Sequence, residues 1–226
     1  AKDTAQTFDF FPLPEEAVGD QARAILEDVP PQVIKVGFAG SAENISIIAE
    51  LTADYDGVPV VAYMPNLSWW EEDKIDAYLD AFRELLLPQT SVLVGHHSTL
   101  RRWLLPDWSG ERNPGPRDIA KAASELGVPY TLVTGLTLPE QHIDNVLASP
   151  ETVLAHEKFE RIEAVFVGAG DTLTAALAAL LADPGGRRAL GARAALLIDG
   201  RGAQRVALSL LGDAMHLRQA TLDDAQ

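Results

Sequence analysis

Gly168-Ala169-Gly170-Asp171 stands between a short apolar run that reads as a strand, Val165-Phe166-Val167, and a helical stretch that reaches Ala182. Glycines let a backbone come close to a ligand. The first amides of a helix have no intrahelical acceptors, and with the helix dipole they favour an anion. A carboxylate at that place has two uses. As an N-cap, Asp171 closes the start of the helix. As a general base, it takes a proton from the group that the anion is to be joined to.

Other chemistry-bearing residues are sparse. His96 and His97 are adjacent at a strand end, where neighbouring side chains point to opposite sides, so they do not share one ion. His142, His156 and His216 add no metal-ligand spacing, and no metal site is expected from these residues. The absence of cysteine excludes disulfides, thiolate metal sites and thiol catalysis. Arg101 and Arg102 follow the histidines on a helical stretch and either meet phosphate or form a solvated face. Trp69-Trp70 either covers a ligand pocket or packs as core or interface.

The elements that must position these residues alternate. Apolar runs predict parallel strands at 33–38, 58–63, 91–94 and 130–134. Helical spacing predicts helices over 15–29, from an N-cap at Ser41, over 71–87 up to Pro88, and over 117–128 with a glycine end. Two antiparallel strands, 142–149 and 151–159, are expected around Ser149-Pro150. The helix after Asp171 shows Leu173, Ala176, Leu177, Leu180 and Leu181 on one face. Strands alternating with helices indicate a largely parallel sheet covered on both faces, with ligands at the carboxyl ends of the strands. That predicts Gly37, Gly135 and Asp171 on one rim.

The chain has 226 residues, 47% hydrophobic, and carries a formal charge of −15. This length suits one core, and a single domain over 1–226 is expected. A field of that sign repels nucleic acid and anionic membrane, so neither is expected as a partner. No apolar run reaches the length of a membrane span and no signal peptide is visible, so a cytoplasmic location is expected.

The ordered segments "KVGFAGSAEN", "RELLLPQTSVLV", "LVTG" and "GAGDTLTAALAALLA" resemble the hydroxymethylpyrimidine and phosphomethylpyrimidine kinases of thiamin biosynthesis, within the ribokinase-like superfamily. The resemblance implies an α/β three-layer sandwich with a mostly parallel sheet and helices on both faces. It implies transfer of a phosphoryl group from ATP, with Mg²⁺, to a pyrimidine hydroxymethyl or phosphomethyl group, and a homodimer. By position, Asp171 is the implied base, Gly168, Ala169 and Gly170 the anion hole, and Thr134 and Gly135 nucleotide contacts. Phe38 stands where the family has a pocket-lining Met, and ordinary core packing is its other reading.

The chain departs from that pattern at three places. The family opens with a strand and a glycine-rich segment, which is expected to be missing here, because residues 1–16 hold no strand-turn-helix. The family's strand acid faces "VVAYMP", with Tyr63 and Met64. His96 and Thr99 stand at the family's Asn and Glu positions. A catalytically impaired relative acting by binding or assembly is the alternative. A looser dinucleotide-binding pattern runs from "FVGAGDTL" to Asp199, but Leu173 occupies its third glycine position.

Overall fold

Runs of β-branched residues bounded by proline and glycine form the strands. The computed structural model describes residues 10–164 and 166–189. In it β1 (Ile34–Val36), β2 (Val60–Met64), β3 (Val92–His96) and β4 (Tyr130–Leu138) pair in parallel, with Ile34 opposite Val60, Val61 opposite Val92, and Val92 opposite Tyr130. β5 (His142–Ala148) and β6 (Val153–Glu160) follow as antiparallel neighbours, so the sheet order is β1 to β6.

Alternation along the strands supplies two cores. Val36, Val60, Ala62, Met64 and Leu93 face α2 (Ala42–Ala53), α3 (Glu72–Ala81), α4 (His97–Leu104) and α5 (Pro116–Ser124), with Tyr78, Phe82, Leu100 and Ile119 buried among them. α1 (Glu15–Asp28) packs on α2. Val61, Val92 and Val94 face the other way, against Ala178 of α6 (Ala169–Ala182). Helices on both faces of a mostly parallel sheet make the three-layer sandwich that the resemblance implies. The unit described here runs to Ala182. Residues 183–189 belong to a second compact unit and are helical over 184–189.

Three local expectations need correction. Among the described residues no strand immediately precedes the glycine turn: Phe166 is exposed and outside any strand, and Val167 and Gly168 form a turn. β6 lies at one edge of the sheet while α6 packs on β1, β2 and β3. The helix over 71–87 is also not uniform. It widens into a π-turn at Phe82–Leu86, where the Leu87 amide reaches the Phe82 carbonyl, then tightens at Leu87–Gln89. Pro88 donates no hydrogen bond and its ring crowds the turn before it, which disfavours regular α geometry there. On α6, finally, the inward face is Thr174, Leu177, Ala178 and Leu181, whereas Leu173 and Leu180 are exposed.

Ser41 caps α2 as expected, accepting from the Asn44 amide at 3.1 Å. Asn44 does not complete a capping box. Its side-chain amide donates to the carbonyls of Ala39 (2.9 Å) and Leu13 (3.2 Å), tying the segment after β1 and the segment before α1 to the same helix start.

Gly95 on β3 shows how closely α4 sits on the sheet. A Cβ there would come 2.8 Å from Leu100 Cγ, and Leu100 is fully buried. Gly95→Ala is expected to cost about 1–3 kcal/mol through overpacking. A urea midpoint unchanged from the parent would show that α4 yields freely.

Candidate functional site

β1 ends at Val36, and the glycine that follows leaves room for an ion pair. Lys35 points to the α6 side of the sheet, and its Nζ donates to Asp171 Oδ1 at 2.6 Å. A Cβ on Gly37 would lie 2.8 Å from that oxygen and 2.9 Å from Nζ, so both groups occupy space that any other residue would take. The side chains of Lys35 and Asp171 keep 27% and 39% of their surface, so the pair is shielded from solvent but reachable from it.

Asp171 is not the N-cap of α6. The Thr172 amide donates to the Gly168 carbonyl at 2.9 Å, which makes Gly168 the capping residue and places Asp171 three positions into the helix. Helix geometry leaves the amides of Ala169, Gly170 and Asp171 without intrahelical acceptors. Gly168 takes φ +90, and among the described residues nothing lies within 4 Å of the place a Cβ would occupy, so the turn is open on that side.

Tyr63 of β2 points to the same side. Its phenol stands against Gly170, in the space a Cβ there would fill. Burial first, and the Asp171 carboxylate second, push the Tyr63 phenol up, so it keeps its proton at neutral pH. That hydroxyl has no hydrogen-bond partner among the described residues and is a donor at the mouth of the turn.

The other residues singled out from the sequence lie along the same carboxyl rim with their own partners. Thr134 Oγ1 donates to the Gly95 carbonyl at 3.3 Å, and the Gly135 amide donates to Asn145 Oδ1 at 3.0 Å. Gly135 has φ +68 and sits where the β4–β5 register shifts between Val133 and Leu136, a bulge that only a small residue enters easily. β4 is two strands from β2, so Gly135 is on the order of 10 Å from Tyr63 across the sheet.

His96 closes β3 and His97 opens α4, and the two rings go separate ways. His97 Nε2 meets the Pro114 carbonyl at 3.0 Å. His96 Nδ1 accepts from the Ser98 amide at 3.2 Å, which puts the proton of the neutral ring on Nε2, beside Gly135. Burial of the ring, and then His97, hold the His96 imidazole below its ordinary range. A folded-state value below the unfolded one means the unfolded chain binds more protons as pH falls. The stability His96 contributes is therefore complete above about pH 6.5 and declines as pH falls toward the lowered folded value. His96→Gln is expected to flatten that part of the pH dependence of the urea midpoint. Equal slopes in both proteins would show that the ring titrates freely.

Phe38 joins an aromatic cluster that the sequence did not announce. Its ring centroid lies 5.1 to 5.6 Å from those of Phe10, Trp69, Trp70 and Tyr78, and it is partly buried on the core. Tyr78 is fully buried, and its oxygen accepts from the Ala39 amide at 3.1 Å, which fixes the backbone just after Phe38. Beside this cluster, Phe10, Trp69, Trp70 and the start of α2 line a cavity of about 450 Å³. At the carboxyl end of β1 the aromatic cluster thus lies on the α2–α3 side of the sheet, and Lys35 and Asp171 on the α6 side.

Lys35 is the site residue that sequence reasoning missed. Its signal was one lysine in an otherwise apolar strand, "VIKVGFAG", on the face opposite to its apolar neighbours. Among the described residues, no three His, Asp or Glu side chains are grouped closely enough to hold a metal. No helix among them is long and apolar enough to cross a membrane. The dinucleotide-like reading ending at Asp199 lies outside the described residues.

Comparison with known proteins gives the same lineage. A hydroxymethylpyrimidine/phosphomethylpyrimidine kinase of Streptomyces coelicolor is 28% identical over 135 residues, which is 58% of this chain and 48% of that protein. The chain thus spans about half the length of the curated relative it matches. The Bacillus subtilis pyridoxal kinase solved as an ADP complex superposes with a TM-score of 0.60 at 24% identity, over 76% of this chain and 64% of that one, and shares the fold. The structure of the last common ancestor of HMPPK and PLK/HMPPK vitamin kinases gives 0.53 at 28% identity, over 76% and 67%. The family pattern of phosphomethylpyrimidine kinase matches residues 1–187, and the chain belongs to that family.

Proposed function

We propose that the chain transfers a phosphoryl group from ATP to the hydroxymethyl or phosphomethyl group of a pyrimidine, with Asp171 as the base. The observation that carries this reading is the placement of Asp171. Its carboxylate stands at the open glycine turn of α6, in reach of solvent, with a lysine and a phenol donor beside it. An alcohol is a poor nucleophile until a base takes its proton, and phosphoryl transfer is otherwise positioning and charge stabilisation. The amides of Ala169 and Gly170 are the groups available to hold a transferred phosphoryl. The aromatic cluster at Phe38 suits a flat ring, and Thr134 and Gly135, further along the same rim, suit the nucleotide.

The turn suits nucleotide phosphates, because no described residue fills the space beside Gly168 and the first helix amides have no intrahelical acceptors. Among the described residues no three His, Asp or Glu side chains are grouped to hold magnesium, so the ion would be held chiefly by the nucleotide's own phosphate oxygens. What the ion supplies when it rides on nucleotide phosphates is charge neutralisation.

A second reading has its own support. The phenol of Tyr63 stands on Gly170, where a carboxylate near the metal would otherwise be expected, and this favours a relative that binds pyrimidines or phosphates without transferring. Phosphorus NMR of the chain with ATP, Mg²⁺ and hydroxymethylpyrimidine separates the two. The kinase reading expects a new phosphomonoester resonance that grows with time. Binding of the pyrimidine without that resonance would overturn the kinase reading in favour of the second. The implied homodimer belongs to the same proposal, and sedimentation of the chain at a single monomer mass would remove it.

A further inference from the structure

We propose that Lys35 is an exchangeable counter-ion, holding Asp171 in the resting site and passing to the phosphoryl oxygens once Asp171 has taken the alcohol proton. The proposal rests on the reading of Asp171 as the base.

Three features of the geometry support exchange over a fixed strut. Among the described residues the ammonium has one hydrogen-bond partner, Asp171 Oδ1 at 2.6 Å, which leaves two further N–H donors. It reaches Asp171 through space that Gly37 leaves empty, with no side chain packed between the two. And it stands at the α6 turn, whose outward amides and Tyr63 hydroxyl are also donors, so an anion arriving there meets Lys35 within a short swing of its flexible stem.

Charge balance supplies the driving force. In the resting site the Asp171 carboxylate and the Lys35 ammonium neutralise each other. As the reaction proceeds, Asp171 takes the alcohol proton. The new O–P bond forms while the bond to the departing nucleoside diphosphate breaks with its electron pair. Asp171 is then neutral, its hold on Lys35 falls to that of an ordinary hydrogen bond, and the nearest negative charge is on the phosphoryl oxygens. One lysine thus keeps the carboxylate aimed before proton transfer and compensates the phosphoryl afterwards. It also contributes a cation at a turn whose protein surroundings offer little to a metal.

An equilibrium cycle tests this without turnover. Inorganic phosphate is titrated into the full chain and into Asp171→Asn, Lys35→Met and the double variant, and the amide shifts of Ala169 and Gly170 report binding at the turn. Asn at 171 mimics the protonated acid. Asp171→Asn is expected to tighten phosphate about tenfold, because Lys35 becomes free to make a charge-assisted bond to it. In the Lys35→Met background the same change is expected to matter less than about twofold. Lys35→Arg is expected to restore most of the tightening, and Lys35→Gln repeats the test should the Met variant fold poorly.

Equal tightening with and without Lys35 would mean only that a nearby negative charge had been removed, and the exchange would be wrong. Absence of phosphate binding at the turn in all the proteins would overturn it as well. Failure of the wild-type chain to transfer phosphoryl, with the cycle holding, overturns the kinase reading and leaves the exchange in place for a bound anion. A failed cycle in a chain that does transfer overturns the exchange alone.

Discussion

Asp171→Asn is expected to lower kcat by on the order of 10³-fold, the range in which general bases act. The substitution is nearly isosteric. The amide oxygen of Asn still accepts from Lys35 Nζ, and α6 keeps its start because the capping group is the Gly168 carbonyl and not the Asp171 side chain. What is lost is the ability to take a proton. The fall is therefore expected in kcat, with KM for ATP unchanged or lower, since Lys35 is then held less firmly and can turn to the nucleotide phosphates. Steady-state kinetics on both proteins, with matched urea midpoints to show equal folding, make the comparison. An unchanged kcat would mean that another group is the base. A rise in KM with kcat intact would assign Asp171 to binding alone.

Phe82→Ala is expected to have the largest effect on stability, about 3–5 kcal/mol, the cost of emptying an aromatic site in a packed core. Phe82 is fully buried and sits at the junction where α3 widens into the π-turn. Its ring lies 6.0 Å from Tyr78 and 5.6 Å from Trp103, which it meets edge to face at 85°. Truncation therefore removes contacts to α3 and α4 together. It also weakens the support of Tyr78, whose oxygen anchors the Ala39 amide beside Phe38. Against a typical total of about 5–15 kcal/mol, a loss of this size removes a large share of the folded population's margin. The urea midpoint is expected to fall with little change in slope. Loss of less than about 1 kcal/mol would show that the surrounding helices collapse into the space, the other limit of such core truncations.

Both predictions depend on positions that the chain reveals to different degrees. The alternation of apolar runs with helical spacing was enough for the order of elements, the parallel pairing, and the placement of Asp171 at a helix start. Such patterns are local: period two or period 3.6 is written in a few consecutive residues. The antiparallel pair at β5 and β6 was legible for the same reason, through the turn at Ser149-Pro150. The turn 168–171 could be read as an anion site because its chemistry lies in backbone amides and glycines, which sequence states directly.

Tertiary structure decided the rest, because it depended on which elements meet. Lys35 and Asp171 are 136 positions apart, and only the docking of α6 on β1 and β2 brings Nζ to Oδ1. The same docking sets Tyr63 against Gly170. It turns α6 so that Thr174 and Ala178 face inward while Leu173 stays outside, a rotation that a run of alanines and leucines leaves open, since almost every face is apolar. Of the apolar run before the turn, Phe166 is not in a strand and Val167 lies in the turn itself, an outcome that apolar character alone does not decide. The ion pair follows the same rule. A lysine in a strand states its charge and its side of the sheet, but its partner exists only once the layers have packed.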